Sequence, residues 1–103
     1  MGDLDGMWSV KRVGGALPPM VGVRKRIAGD RGETLVGKLG LSFDVHGNEL
    51  RYRAILRGLV DILEPSGDGS VWRGRVVYRG KEFGQFELRR IGPRVLGGRS
   101  VTH

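Results

Sequence analysis

Chemistry by side chains needs reactive groups at workable spacing, and this chain holds few. It has two histidines and no cysteine. His46 stands in the stretch Asp44-Val45-His46-Gly47-Asn48 and the other histidine is His103, so no His-x-His or other paired spacing is there to hold a metal. Without cysteine there is no disulfide, thiolate ligand or thiol nucleophile. No Gly-x-Ser-x-Gly elbow presents a serine. Asp61 and Glu64 are close in sequence, but at that separation on a strand they face opposite ways and cannot share a proton. Gly37 and Gly40 lack the strand-to-helix setting that cradles a phosphate. These residues predict a noncatalytic protein that binds rather than reacts, with no metal and no cofactor.

Binding has two sources here, charge and apolar side chains. Lysine and arginine total 18 against 11 aspartates and glutamates, giving a net charge of +7 and a pI near 10.8. Ten arginines lie between Arg51 and Arg99. Arg51, Arg53, Arg57, Arg73, Arg75 and Arg89 fall on the parity opposite the apolar residues of their segments. If those segments are neighbours, the arginines form a basic stripe on the outside, which attracts phosphate backbones. Capture of single strands also needs exposed aromatic rings on which bases stack. Phe83 alone has the alternation that points outward. Single-stranded nucleic acid is therefore the second expectation. A solvated surface that keeps a small domain soluble is the plainer account of the same charge.

The elements that must position these residues read as short strands. Glycine supplies 19 of the 103 residues, against a usual share of about 7%, and the glycines sit between apolar runs as turns do. Trp8 to Val13 alternates, with Trp8 and Val10 on one face, until Gly14-Gly15-Ala16-Leu17-Pro18-Pro19 breaks it. Val21 to Ile27 resumes, with Val21, Val23 and Ile27 opposite Arg24 and Arg26. Thr34 to Val45 reads as one strand with Leu35, Leu39, Leu41, Phe43 and Val45 on one face, bent at Gly37 and Gly40. Val71 to Tyr78 places Trp72, Val76 and Tyr78 together. Gly80-Lys81 suits a two-residue type II′ turn, and Glu82 to Ile91 returns with Phe86 and Leu88 on one face.

Leu50 to Leu63 reads two ways. Leu50, Tyr52, Ala54 and Leu56 alternate with Arg51, Arg53 and Arg57 as a strand does, whereas Tyr52, Ile55, Leu56, Leu59 and Leu63 recur at helical spacing. Regular turn spacing elsewhere favours strand, split near Gly58, with Pro65 stopping the element. Seven or eight antiparallel strands with one apolar face close on themselves, because closure removes unpaired edges. The expected fold is an all-β, antiparallel up-and-down barrel: one domain over residues 1–103, with 1–5 and 93–103 as flexible tails. No apolar run approaches the ~20 residues that span a bilayer. Met1-Gly2-Asp3-Leu4-Asp5 is acidic, unlike a secretion signal. A soluble, cytoplasmic protein is the expectation.

Gly6-Met7-Trp8 is a Gly-x-Trp at the start of the first strand, and in this it resembles the calycins, the lipocalins and fatty-acid-binding proteins. In that superfamily the tryptophan closes one barrel end and packs against an arginine of the last strand. Arg89 or Arg90 resembles that partner. The chain departs from the pattern in being shorter than a usual lipocalin and in lacking the cysteines of secreted members. The resemblance implies a calycin-like barrel holding a small hydrophobic or amphipathic ligand, with any inward arginine paired to a carboxylate head group.

The inward parities nominate a lining of Leu35, Leu39, Leu41, Phe43, Tyr52, Trp72, Tyr78, Phe86 and Leu88, joined by Leu50 and Val76. The counterweight is size: side chains alone can fill an eight-stranded barrel, so the same residues also serve as a plain core with no ligand. Residues Gly14 to Met20 form an apolar, semi-rigid loop suited to cover the barrel mouth or to dock a partner. A monomer is expected, or a homodimer if two incompletely closed sheets pair at their edges.

Overall fold

The structure, a computed structural model, describes residues 4–67 and 69–91. Eight strands follow in chain order: β1 (Gly6–Gly15), β2 (Arg24–Ala28), β3 (Arg31–Val36), β4 (Leu39–His46), β5 (Glu49–Tyr52), β6 (Leu59–Ser66), β7 (Val71–Tyr78) and β8 (Lys81–Arg90). Each pairs antiparallel with the next, and β8 returns to β1, so the sheet is a closed up-and-down barrel. Closure gives each of the eight strands a paired neighbour on both sides, so no whole strand stands at an edge of the kind considered for homodimer pairing. Of the residues expected as tails, 1–3 and 93–103 lie outside the described residues. Leu4 and Asp5 are instead built into the barrel: Leu4 is buried, and Asp5 Oδ1 accepts from the Gly29 amide at 2.9 Å.

Two turns sit differently from their sequence reading. Thr34 to Val45 is not one strand but the β3–β4 hairpin, turned at Gly37-Lys38, with Val36 facing Leu39 across the ladder. Gly37 takes a φ of +60°, which a glycine adopts without steric cost. A two-residue loop reverses the phase of the alternation. Thr34 therefore joins Leu41 and Phe43 on the inner face, and Leu35 turns outward. The β7–β8 loop is Arg79-Gly80 rather than Gly80-Lys81. Both residues have positive φ, the signature of a type I′ turn.

The Leu50–Leu63 segment follows the strand reading. β5 and β6 are joined through a single 3₁₀ turn, Ala54–Leu56, and Gly58. Pro65 does not stop β6, which runs on to Ser66 with Pro65 opposite Trp72. The reason is local. β5 reaches only as far as Ile62, so the missing N–H of Pro65 falls where no neighbouring strand asks for it.

The interior pairs aromatic rings with glycines. A Cβ on Gly74 would stand 2.2 Å from the Phe86 ring, and one on Gly32 would stand 2.6 Å from that of Phe43. Several of the many glycines are thus the inner-face partners of large side chains rather than turns. At one end Trp8 is fully buried and donates from Nε1 to the Leu4 carbonyl at 2.8 Å. The Arg90 guanidinium lies 4.2 Å from the centroid of its ring and donates to the Asp5 carbonyl. Such a cation–π contact is worth about 0.5–2 kcal/mol. Arg89 points outward to Glu87 instead.

Gly74→Ala is expected to lower stability by about 1–3 kcal/mol through overpacking, read as a fall in the urea midpoint. In a Phe86→Leu background the same change should cost far less; an equal cost in both backgrounds would contradict this account of the packing. Trp8→Ala is expected to cost about 3–5 kcal/mol in the same assay, and a loss under about 0.5 would show that the ring closes nothing.

Candidate ligand-binding site

The strand alternation that fills one end of the barrel leaves the other end hollow. A cavity of about 260 Å³ is walled by Val10, Val23, Leu41, Leu59, Val76 and Phe86. Its cover is the β1–β2 connection, from which Leu17, Pro18, Pro19 and Met20 line the space. This lid is held by Arg12, which donates from Nε to the Leu17 carbonyl at 2.7 Å and from Nη2 to the Gly15 carbonyl at 2.6 Å. The Ala16 backbone N–H adds a hydrogen bond to the Phe83 carbonyl at 2.7 Å. Gly84 leaves room for the lid, since a Cβ there would stand 2.4 Å from Leu17 Cγ. Val21, which alternation places inward, is instead 95% exposed on the lid.

The cavity wall also carries charge. Lys25 from β2 and Asp61 from β6 are both buried, and their Nζ and Oδ2 atoms are 2.9 Å apart. Lys25 Nζ also donates to Tyr52 Oη and to Thr34 Oγ1, each at 2.7 Å. Tyr52 Oη donates to Asp61 Oδ2 at 3.0 Å, and the Thr34 and Tyr52 hydroxyls are 2.5 Å apart. Three aromatic rings surround the ammonium, with the centroids of Phe43, Tyr52 and Phe86 at 5.6, 5.4 and 5.4 Å. All four polar residues of this group line the cavity.

Titration follows from that setting. Burial by itself drives Lys25 toward the neutral amine, but the neighbouring Asp61 charge and the hydrogen bonds to Tyr52 and Asp61 outweigh it. The net effect is a pKa raised above the ordinary lysine value. The Tyr52 hydroxyl is likewise raised, first by burial and then by the Asp61 carboxylate, against the pull of Lys25. At neutral pH the group is a charged pair bridged by two neutral hydroxyls.

The expected lining divides. Leu41, Tyr52, Val76 and Phe86 do wall the cavity. Phe43, Trp72 and Leu88, with Leu50, are buried but fill the rest of the barrel. Leu35 faces outward. Leu39 lies at the rim and is 58% exposed, and Tyr78, also at the rim, packs on Phe83 with centroids 6.4 Å apart. No inward arginine reaches the cavity among the described residues; the cation there is Lys25. Lys25 and Asp61 are absent from the sequence-derived lining, yet the signal existed. Each is a charged residue at an inner-face position, Lys25 between Val23 and Ile27 and Asp61 between Leu59 and Leu63.

The outer arginines do not form one stripe. Arg51 on β5 and Arg73 and Arg75 on β7 are separated by β6, whose outward residues are Val60, Ile62 and Glu64. Arg51 pairs with Glu49, Arg53 with Asp44 and Arg75 with Glu82, at 3.0, 3.3 and 3.3 Å. Arg57 is exposed between β5 and β6. Among the described residues no cluster of three His, Asp or Glu side chains could hold a metal, and no helix is long and apolar enough to cross a membrane. The chain matches no family model, no curated protein and no solved structure.

Asp61→Asn leaves the Lys25 ammonium buried without its counter-charge and is expected to cost about 3–5 kcal/mol. Replacing both partners, as Lys25→Met with Asp61→Leu, should cost much less, because no charge is stranded. Urea midpoints of the two variants check this, and equal losses would refute it. The raised values of Lys25 and Tyr52 also fix the sign of the pH dependence. Both groups bind protons more tightly when folded, so their contribution is complete below about pH 10 and is lost as pH rises further. Unfolding scans between pH 8 and about 12 should show that alkaline decline, smaller in the double variant.

Proposed function

We propose that this barrel binds a small, mostly apolar molecule carrying one polar group, and acts on it without catalysis. The observation that carries the reading is a charge-balanced polar group set in the wall of an otherwise apolar cavity under an apolar lid. Apolar pockets with a few placed polar groups are the usual form of a small-molecule site. A cavity of about 260 Å³ lies just below the roughly 300–1,000 Å³ of such sites. One water occupies about 30 Å³ of liquid, so the space suits a molecule of about eight or nine non-hydrogen atoms. That size agrees with the small hydrophobic or amphipathic ligand that the calycin resemblance implies.

A calycin-type architecture remains part of this reading. It is supported by Gly6-x-Trp8 opening β1 and by Arg90, at the end of β8, lying over that ring. Nucleic acid on the outer face has less behind it, because β6 interrupts the arginines and acidic neighbours pair several of them.

Native mass spectrometry of the protein purified from its own host tests the proposal. An adduct of roughly 120 Da, the mass of about eight or nine non-hydrogen atoms, should leave on denaturation. It should be missing from a folded Val76→Phe variant whose cavity is filled. A bare mass, together with unmoved Leu41, Val76 and Met20 methyl resonances under saturating 1-octanol, would overturn it.

A further inference from the structure

Counting protons in the polar group identifies what kind of polar head the cavity can accept. Lysine offers three donors and no acceptor, and Lys25 spends all three, on Asp61 Oδ2, Tyr52 Oη and Thr34 Oγ1. The Tyr52 hydroxyl proton goes to Asp61 Oδ2. That leaves Tyr52 Oη to accept the Thr34 hydroxyl proton across their 2.5 Å contact. Every donor of the group is then used inside it. What is left over is acceptor capacity. Asp61 Oδ1 takes no hydrogen bond from any described residue, although the side chain is 4% exposed and stands on the cavity wall. A buried carboxylate oxygen without a donor is costly to leave so.

We propose that the ligand is an uncharged hydrogen-bond donor, an alcohol, phenol or N–H compound with an apolar body, whose proton is accepted by Asp61. This rests on the binding reading above and sharpens it to a ligand class. It also reverses the carboxylate expectation drawn from the calycin resemblance. A carboxylate brings acceptors to a group with no spare donor. It also brings a second negative charge beside Asp61, where Lys25 already balances the first. An ether or hydrocarbon of the same shape fills the space but leaves Oδ1 unpaired.

Three probes of equal non-hydrogen atom count separate these cases: 1-octanol, its isomer heptyl methyl ether, and heptanoate. Dissociation constants come from ¹⁵N and methyl NMR titration of the intact protein at neutral pH. The expected order is 1-octanol at least tenfold tighter than the ether, with heptanoate weakest. In the Lys25→Met, Asp61→Leu double variant, where the acceptor is gone and no charge is stranded, the alcohol and the ether should bind within about threefold. Ether or heptanoate binding as tightly as the alcohol to the unaltered protein would overturn the donor assignment and leave the binding reading standing. An alcohol preference that survives in the double variant would show that Asp61 is not the acceptor. No binding by any of the three would remove the binding reading, and this inference with it.

Discussion

The ion pair of Lys25 and Asp61 is the constraint around which the rest of the barrel is arranged. The two residues come from strands well apart in the chain, and neither charge has access to water. A buried charge is tolerable only with a counter-charge and filled hydrogen-bond sites. Tyr52 on β5 and Thr34 on β3 supply those sites, so the group draws on four of the eight strands. A slip of one residue in β2, β3, β5 or β6 would turn one member to the solvent and strand the others. The pair thus contributes to register as well as to polarity, and the aromatic rings of Phe43 and Phe86 shield it from water.

The division of the interior into a filled end and a hollow end follows from residue size along the inner face. Toward the Trp8 end the inner positions carry Trp8, Phe43, Leu50, Trp72 and Leu88, all buried. Glycines 32 and 74 stand where a further side chain would collide with the rings of Phe43 and Phe86. Toward the lid most of the apolar inner positions carry the smaller Val10, Val36, Leu41, Leu59 and Val76, and the cavity lies between them. Packing and vacancy therefore have one cause, the order of large and small residues on each strand.

Much of this architecture was legible in the sequence. Alternation identified the barrel class and the span of β7, placed β8 to within a residue, and put Tyr52, Val76, Phe86 and Leu41 on the inside. β1 runs two residues further at each end than Trp8 to Val13, through Gly14 and Gly15. The failures have specific causes. Lys38 continues the polar parity of Ser42 and Asp44, so nothing in the alternation reveals the Gly37-Lys38 turn, and the phase of β3 came out inverted. Pro65 was read as a terminator because sequence does not show how far a neighbouring strand extends. The polar group is hidden from an apolar alternation, which sorts apolar residues only. Lys25 and Asp61 occupy inner positions in β2 and β6, and a rule that sets charges aside does not see them. The cavity itself is a sum over residues from all eight strands and a loop, which no single segment displays.

The lid is fastened by a short-range device. Arg12 clasps the carbonyls of Gly15 and Leu17, residues within the same turn of chain. The polar group of the cavity wall, by contrast, is assembled from β2, β3, β5 and β6. The clasp that holds the lid and the polar group of the cavity wall are therefore separate sets of residues. In the binding proposed above, a change at Arg12 would act first on how readily the lid opens and leave the polar group untouched, so that how long a guest stays can drift in evolution apart from which polar head is chosen.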